Sequence, residues 1–263
     1  MHVFGTGPVR AGLLGQAARD AFAEALESRV GSPFRVKVFG SYESLALAVE
    51  SGSVAFAWLP PALAVQLVDR DRATPLVSLV RDGSAEYRGT VFVRGDSSIR
   101  GVEDLRGKRF AWVDELSCAG YLFPRRALTE RGFGENSFAD ERFLGSHAAV
   151  GRAVAAGDAD AGATFLHVAD DDLAGTEVVA GWADATTDAM RTLLVTDPIP
   201  TDLVCASSHV APALAEAVGT ALAALHTEDA SSRILRELFG VTRFEPADIG
   251  RYEAVRVALR PVR

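Results

Sequence analysis

The chain has 263 residues, of which 48% are hydrophobic and 24% charged, with 27 Lys+Arg against 35 Asp+Glu and a formal net charge of −8. That length suits one large domain or two lobes with sizeable cores, and the acidic balance argues against a phosphate-backbone surface, so no nucleic-acid partner is expected. No apolar run approaches a membrane span, and Cys118 and Cys205 have no nearby Cys or His at metal-ligand spacing, so no metal is expected and no disulfide is demanded.

In chain order, "HVFG" reads as a short strand. A helical stripe follows between Val9 and Val30, with Leu14, Ala17, Ala18, Ala21, Phe22, Ala25 and Leu26 on one face and Gly31 as its stop. "FRVKVF" (34–39) is a strand and "YESLALAVES" (42–51) a helix ended by Gly52. "VAFAWL" (54–59) is a strand, "PALAVQLVDR" a helix with Pro61 at its start, and "PLVSLV" a strand. Strand and helix alternate throughout, which predicts a parallel sheet with helices on its faces.

"YRGTVFVR" (87–94) is a longer strand, "GVEDLRG" a short helix, and "RFAWV" opens a second alternating cluster. A helix from about Tyr121 to Arg131, the strand "ERFLG", the helix "HAAVGRAVAAG" and the strand "DAGATF" follow. "ADDDLAG" is an acidic, solvated loop, and "MRTLLVT" and "LVCAS" are strands flanking "DPIPTD". Three helices finish the chain, at about 211–227, 229–239 and 246–259. The two clusters divide the chain into lobe 1 (1–90 and 200–263) and lobe 2 (91–199). Two hinge-like crossings, near "EYRGT" and "DPIPTD", join them.

One turn stands out. Between "RFAWV" and its helix lie Ser117, Cys118, Ala119 and Gly120, four small residues, with Tyr121 beginning the helix. Small side chains allow close approach to the backbone. A helix N-terminus offers unpaired N–H groups and a partial positive charge, so this turn is a candidate anion site. A second helix start has Ser146 as a natural N-cap and His147 in the first turn. Other motifs fail on spacing. "GTGPVRAG" has its glycines at 5, 7 and 12 with Pro8 intruding, and "GVEDLRGKR" has Arg109 where a P-loop needs Ser or Thr.

The stretch "YRGTVFVRGDSSIRGVEDLRGKRFAWVDELSCAGYLFPRRALTERGF" resembles the phosphonate/phosphite/phosphate-type ABC-transporter substrate-binding family, of the type 2 periplasmic-binding-protein fold. "SYESLALAVESGSVAFAWLPP", "FLGSHAAVGRAVAAGDADAGA" and "DPIPTDLVCAS" are similar to later and earlier family elements in the same order, and the likeness covers roughly residues 34–226. The resemblance implies an α/β fold of two lobes with a ligand cleft between them. It also implies reversible binding of a small oxyanion such as a phosphonate, phosphite or phosphate. Position by position it implies ligand contacts at Tyr42, Tyr87, Ser117, Cys118, Ala119, Gly120, Tyr121, Ser146, His147 and Asp202. The family typically carries Ser-Thr-Ser-Gly where this chain has Ser117, Cys118, Ala119 and Gly120, so two hydroxyls are missing here.

Alternatives stand beside several of these positions. Trp58 lies in "AFAWLPP", where core packing competes with a ligand-lining role, and Asp202 follows "DPIP", where it serves equally as a turn cap. Cys118 at a helix N-terminus is also a candidate nucleophile with His147 as base. That reading makes the chain a cytoplasmic enzyme on the same fold, such as a menaquinone-biosynthesis-type lyase. The binding reading implies no organic cofactor. Its partner is an ABC permease for an exported chain, or a signalling protein for a ligand sensor, and the chain is expected to be a monomer. The start "MHVFGTGPVRAGLLGQAARD" lacks a basic segment followed by an apolar core and cleavage site. As given, the chain is expected in the cytoplasm; a processed form is expected in the periplasm or at the cell surface.

Overall fold

The structure, a computed structural model, describes residues 1–8, 15–81, 83–168, 178–183, 186 and 189–260. The acidic loop of 169–175 and the first residues of the helical stripe, 9–14, lie outside the described residues. The chain divides into two compact units. One holds residues 1–85 and 200–253; the other holds 86–199 and 254–263.

In the first unit, β1 (His2–Thr6), α1 (Gln16–Val30), β2 (Phe34–Val38), α2 (Tyr42–Glu50), β3 (Phe56–Leu59), α3 (Pro61–Asp69) and β4 (Ala73–Val80) follow the predicted alternation. The second unit runs through β5 (Glu86–Arg94), β6 (Arg109–Trp112), α4 (Phe123–Thr129), β7 (Asp140–Phe143), α5 (His147–Ala156), β8 (Ala161–Val168), β9 (Val178–Ala180), β10 (Met190–Val195) and β11 (Ile199–Pro200). The chain then returns through β12 (Leu203–Ser207), α6 (Pro212–Ala224), α7 (Asp229–Phe239), β13 (Arg243–Pro246) and α8 (Glu253–Leu259).

Three expectations need correction. The first sheet is mixed, not parallel. Its order is β13-β4-β12-β3-β1-β2, with β1 parallel to β2 and β3 but β12 inserted antiparallel between β3 and β4. The second sheet, β10-β5-β8-β6-β7, is mixed as well, because β5 runs antiparallel to β8 and β10. The alternating text shows where elements lie, whereas strand direction depends on partners far away in sequence. The third correction concerns the expected last helix, 246–259. The chain there forms β13, a short 3-10 turn at Ile249–Tyr252 and only then α8. Phe244 is needed in the core (2% exposed), and β4 is available as its partner strand.

The predicted stripe on α1 supplies the first core: Phe22 and Leu26 are fully buried among Phe4, Phe56, Phe239 and Phe244. Phe22 meets Phe4 and Phe239 at ring separations of 5.0 Å each. Each such side chain contributes about 1.5–3 kcal/mol on full burial. The second unit has a core on either side of its sheet, and β5 feeds both. Val91 and Val93 enter the cluster of Phe110, Trp112, Phe133 and Phe138, while Phe92 enters that of Val150 and Val154 from α5. This is the period of two that a strand buried on both faces must show. The small-residue strand β8 has its own reason. A Cβ at Gly162 would stand 2.5 Å from Val150 Cγ1, so glycine lets α5 lie close on β8.

Candidate functional site

Parallel strands bring their carboxyl ends to one edge of a sheet, and ligands of open α/β sheets gather there. In the second unit that edge collects the predicted positions. β6 leads into residues 114–122, β7 leads into Ser146 and α5, and Tyr87 begins β5 opposite the end of β8.

Ser117 caps a π-helical turn, Cys118–Leu122, which continues as α4 with Pro124 in its first turn. The helix therefore begins three residues before the predicted Tyr121, and in a wider form. Ser117 organises the turn by itself. Its Oγ accepts from Gly120 N–H at 3.0 Å, and its carbonyl accepts from the N–H groups of Tyr121 (3.0 Å) and Leu122 (2.9 Å). Two of the N–H groups counted for an anion, those of Gly120 and Tyr121, are thus taken up within the turn. Cys118, Ala119 and Gly120 are buried. A Cβ on Gly120 would lie 2.3 Å from Val113 Cγ2 and 2.8 Å from Ser117 Oγ. The smallness of Gly120, read from sequence as room for a ligand, is required by the protein's own packing. The Tyr121 ring packs edge-on to Trp112 and Phe143, at 5.3 and 4.9 Å.

Ser146 is the exposed counterpart. Its Oγ accepts from Ala149 N–H at 3.2 Å and caps α5. His147, half-buried in the first helical turn, has its Nδ1 2.8 Å from Thr164 Oγ1 on β8. Its ring also meets Phe165 edge-on at 4.9 Å; Phe165 lies 5.2 Å from His167, and His167 5.7 Å from Tyr87. A row of half-buried rings, His147–Phe165–His167–Tyr87, lines this edge. Thr164, Phe165 and His167 were missed from sequence. The one available signal was their spacing: Phe165 and His167 stand on the same side of β8, after a run of small residues at 161–164.

In the first unit Tyr42 opens α2, whose N-cap Ser41 accepts from Ser44 N–H at 3.1 Å. The tyrosine is 36% exposed, and its ring covers Gly7 just past β1, where a Cβ would come within 2.2 Å of Cε1. Asp202 precedes β12, at the level of the carboxyl end of β3, since Leu203 pairs with Leu59. Its Oδ2 accepts from Trp58 Nε1 at 2.9 Å and pairs with Arg81 Nη2 at 3.6 Å. Trp58 meets Phe239 at 5.0 Å, so its ring belongs to the core and its N–H serves Asp202. Although 21% of the Asp202 side chain stays exposed, burial pushes its carboxyl above the usual carboxylate range. The Arg81 charge and the Trp58 hydrogen bond pull it back only in part. Next door, burial pushes the Cys205 thiol up to about 12.

Among the described residues no group of three or more His, Cys, Asp or Glu could hold a metal ion, and no helix is long and apolar enough to cross a membrane. Two mixed α/β units with polar groups at their strand ends define a binding-protein architecture of the periplasmic type. The sequence profile described as "ABC transporter, phosphonate, periplasmic substrate-binding protein" matches residues 8–252, and the chain belongs to that family. The phosphate-import protein PhnD of Mycolicibacterium smegmatis is 27% identical over 219 residues, which cover 79% of this chain and 66% of that protein. The solved structure of XAC2383 from Xanthomonas citri bound to chloride ion has a TM-score of 0.79 at 20% identity, covering 98% of this chain and 96% of that one. PhnD1 from Prochlorococcus marinus in complex with methylphosphonate has a TM-score of 0.76 at 17% identity, again covering 98% and 96%. At these identities the two structures share the fold.

Proposed function

We propose that the chain is the substrate-binding component of an ABC importer, acting in the periplasm or at the cell surface. It binds a small phosphorus oxyanion, phosphate or a phosphonate, reversibly and hands it to a permease. The observation that carries this reading is His147. It sits in the first turn of a Ser-capped helix, held by Thr164, on the strand-end edge it shares with the 117–122 turn and Tyr87. A helix start adds partial positive charge, and an imidazole N–H adds a directed donor. Family membership and the phosphate-import relative favour the same ligand class. They also favour binding over turnover, and burial of Cys118 fits an inert thiol better than an attacking one.

Titration calorimetry with inorganic phosphate and with methylphosphonate tests the reading. The wild-type protein should bind at least one of them. His147→Ala should weaken that binding by about tenfold to a hundredfold, the value of one hydrogen bond to a charged group. Equal affinity in the two proteins, or no binding of either anion by wild type, would sink the assignment.

A further inference from the structure

Thr164 has none of its surface exposed, and among the described residues His147 Nδ1 is its hydroxyl's hydrogen-bond partner, at 2.8 Å. A threonine hydroxyl carries one hydrogen and can also accept. A buried O–H without an acceptor is costly and rare in folded proteins. Were Nδ1 protonated, it would donate to Thr164 Oγ1, and the hydroxyl hydrogen would have no acceptor among these residues. We infer that Thr164 donates to His147 Nδ1, holds the imidazole as the tautomer with its hydrogen on Nε2, and is thereby the positioning residue for ligand recognition by His147.

The surroundings keep the hydroxyl where it is. Threonine is stiff at χ1 because it is β-branched. Gly181 lies so close that a Cβ there would stand 2.1 Å from Oγ1, and its N–H donates to the Phe165 carbonyl at 3.1 Å, tying that segment to β8. The Phe165 ring also packs against the imidazole, with centroids 4.9 Å apart and the rings inclined at 74°. This inference rests on the reading of His147 as a ligand donor and narrows it. An Nε2–H can only donate, so the ligand atom that meets it must bring a lone pair. An unprotonated oxygen of phosphate or phosphonate fits; a ligand N–H does not.

The test is nitrogen NMR of the full-length, 15N-labelled protein without ligand at about pH 8, where histidine is uncharged. The expected result for His147 is a protonated Nε2 and a hydrogen-bonded acceptor Nδ1. Thr164→Val should shift the Nδ1 resonance to that of an unbonded acceptor and weaken inorganic phosphate binding about tenfold, whereas Thr164→Ser should restore both. A wild-type His147 protonated on Nδ1 overturns the inference without any variant being needed, and so does a Thr164→Val protein that keeps the wild-type signature. If the tautomer is as inferred but His147→Ala binds phosphate like wild type, the tautomer stands and the proposed role of His147 in binding fails.

Discussion

Two turns at the same sheet edge of the second unit begin alike and are built differently. Ser117 and Ser146 each cap the helix that follows, and each has small residues in its first turn, Cys118 to Gly120 in one and Ala148 and Ala149 in the other. The first turn is closed on itself: Cys118, Ala119 and Gly120 are buried, and Ser117 takes three successive N–H groups. The second is open, with Ser146 exposed and His147 oriented from below by Thr164. A bare turn is therefore ambiguous in sequence. Small residues serve a ligand's approach or the chain's own packing, and only the neighbours tell which.

The sharpest way to break this comparison is Gly120→Val. The closed turn predicts collision with Val113, so the variant should lose about 3 kcal/mol or more of stability by urea denaturation, at the upper end of overpacking costs. A loss below about 0.5 kcal/mol would mean that the turn has room and that ligand approach explains the glycine after all.

Removing the two caps gives a smaller, graded contrast. Ser117→Ala leaves the buried Gly120 N–H without its acceptor and should cost about 2 kcal/mol. Ser146→Ala exposes Ala149 N–H where water can replace the hydroxyl, and should cost about 0.5–1 kcal/mol. Equal costs in matched denaturation curves would erase the distinction between closed and open turns.

The first unit supplies a third kind of polar group, tied to its own chain and charged at a cost. Because burial raises the Asp202 carboxyl, the native state holds its proton to higher pH than the unfolded chain does. From about pH 4 upward, until the native carboxyl ionises, the native protein binds more protons. Stability from this group therefore falls as pH rises. Asp202→Asn removes that dependence, so its stability relative to wild type should rise with pH across this window. A difference that stays constant from pH to pH would mean that Arg81 and Trp58 fully offset the burial.

Much of the fold was legible because its signals are local. The α1 stripe that buries Phe22 and Leu26, the glycine after α1 and the Ser146 cap all act within a turn or so of chain. β13 was illegible because "RFEP" has no strand signal of its own; it pairs with β4, more than 160 residues earlier, with Phe244 opposite Leu79. The candidate site divides in the same way. His147, Ser146 and the 117–120 turn could be picked out as helix starts, and family likeness added Tyr42, Tyr87 and Asp202. Thr164, Phe165 and His167 could not, since their roles come from what α5 and β5 lay against them.

By itself, then, the sequence determined most of the order of strands and helices, β13 excepted, and the helix starts at Ser117 and Ser146 where donors collect. Hydrophobic period, caps and stops act over three or four residues, and no partner is needed to read them. The tertiary structure alone decided strand direction, with β12 threaded between β3 and β4. It also decided the fate of individual polar atoms: Trp58 bonded to Asp202 across 144 residues, and His147 held by Thr164 across 17. Which distant groups meet depends on how buried faces pack, and a buried polar atom takes whatever partner that packing brings within reach.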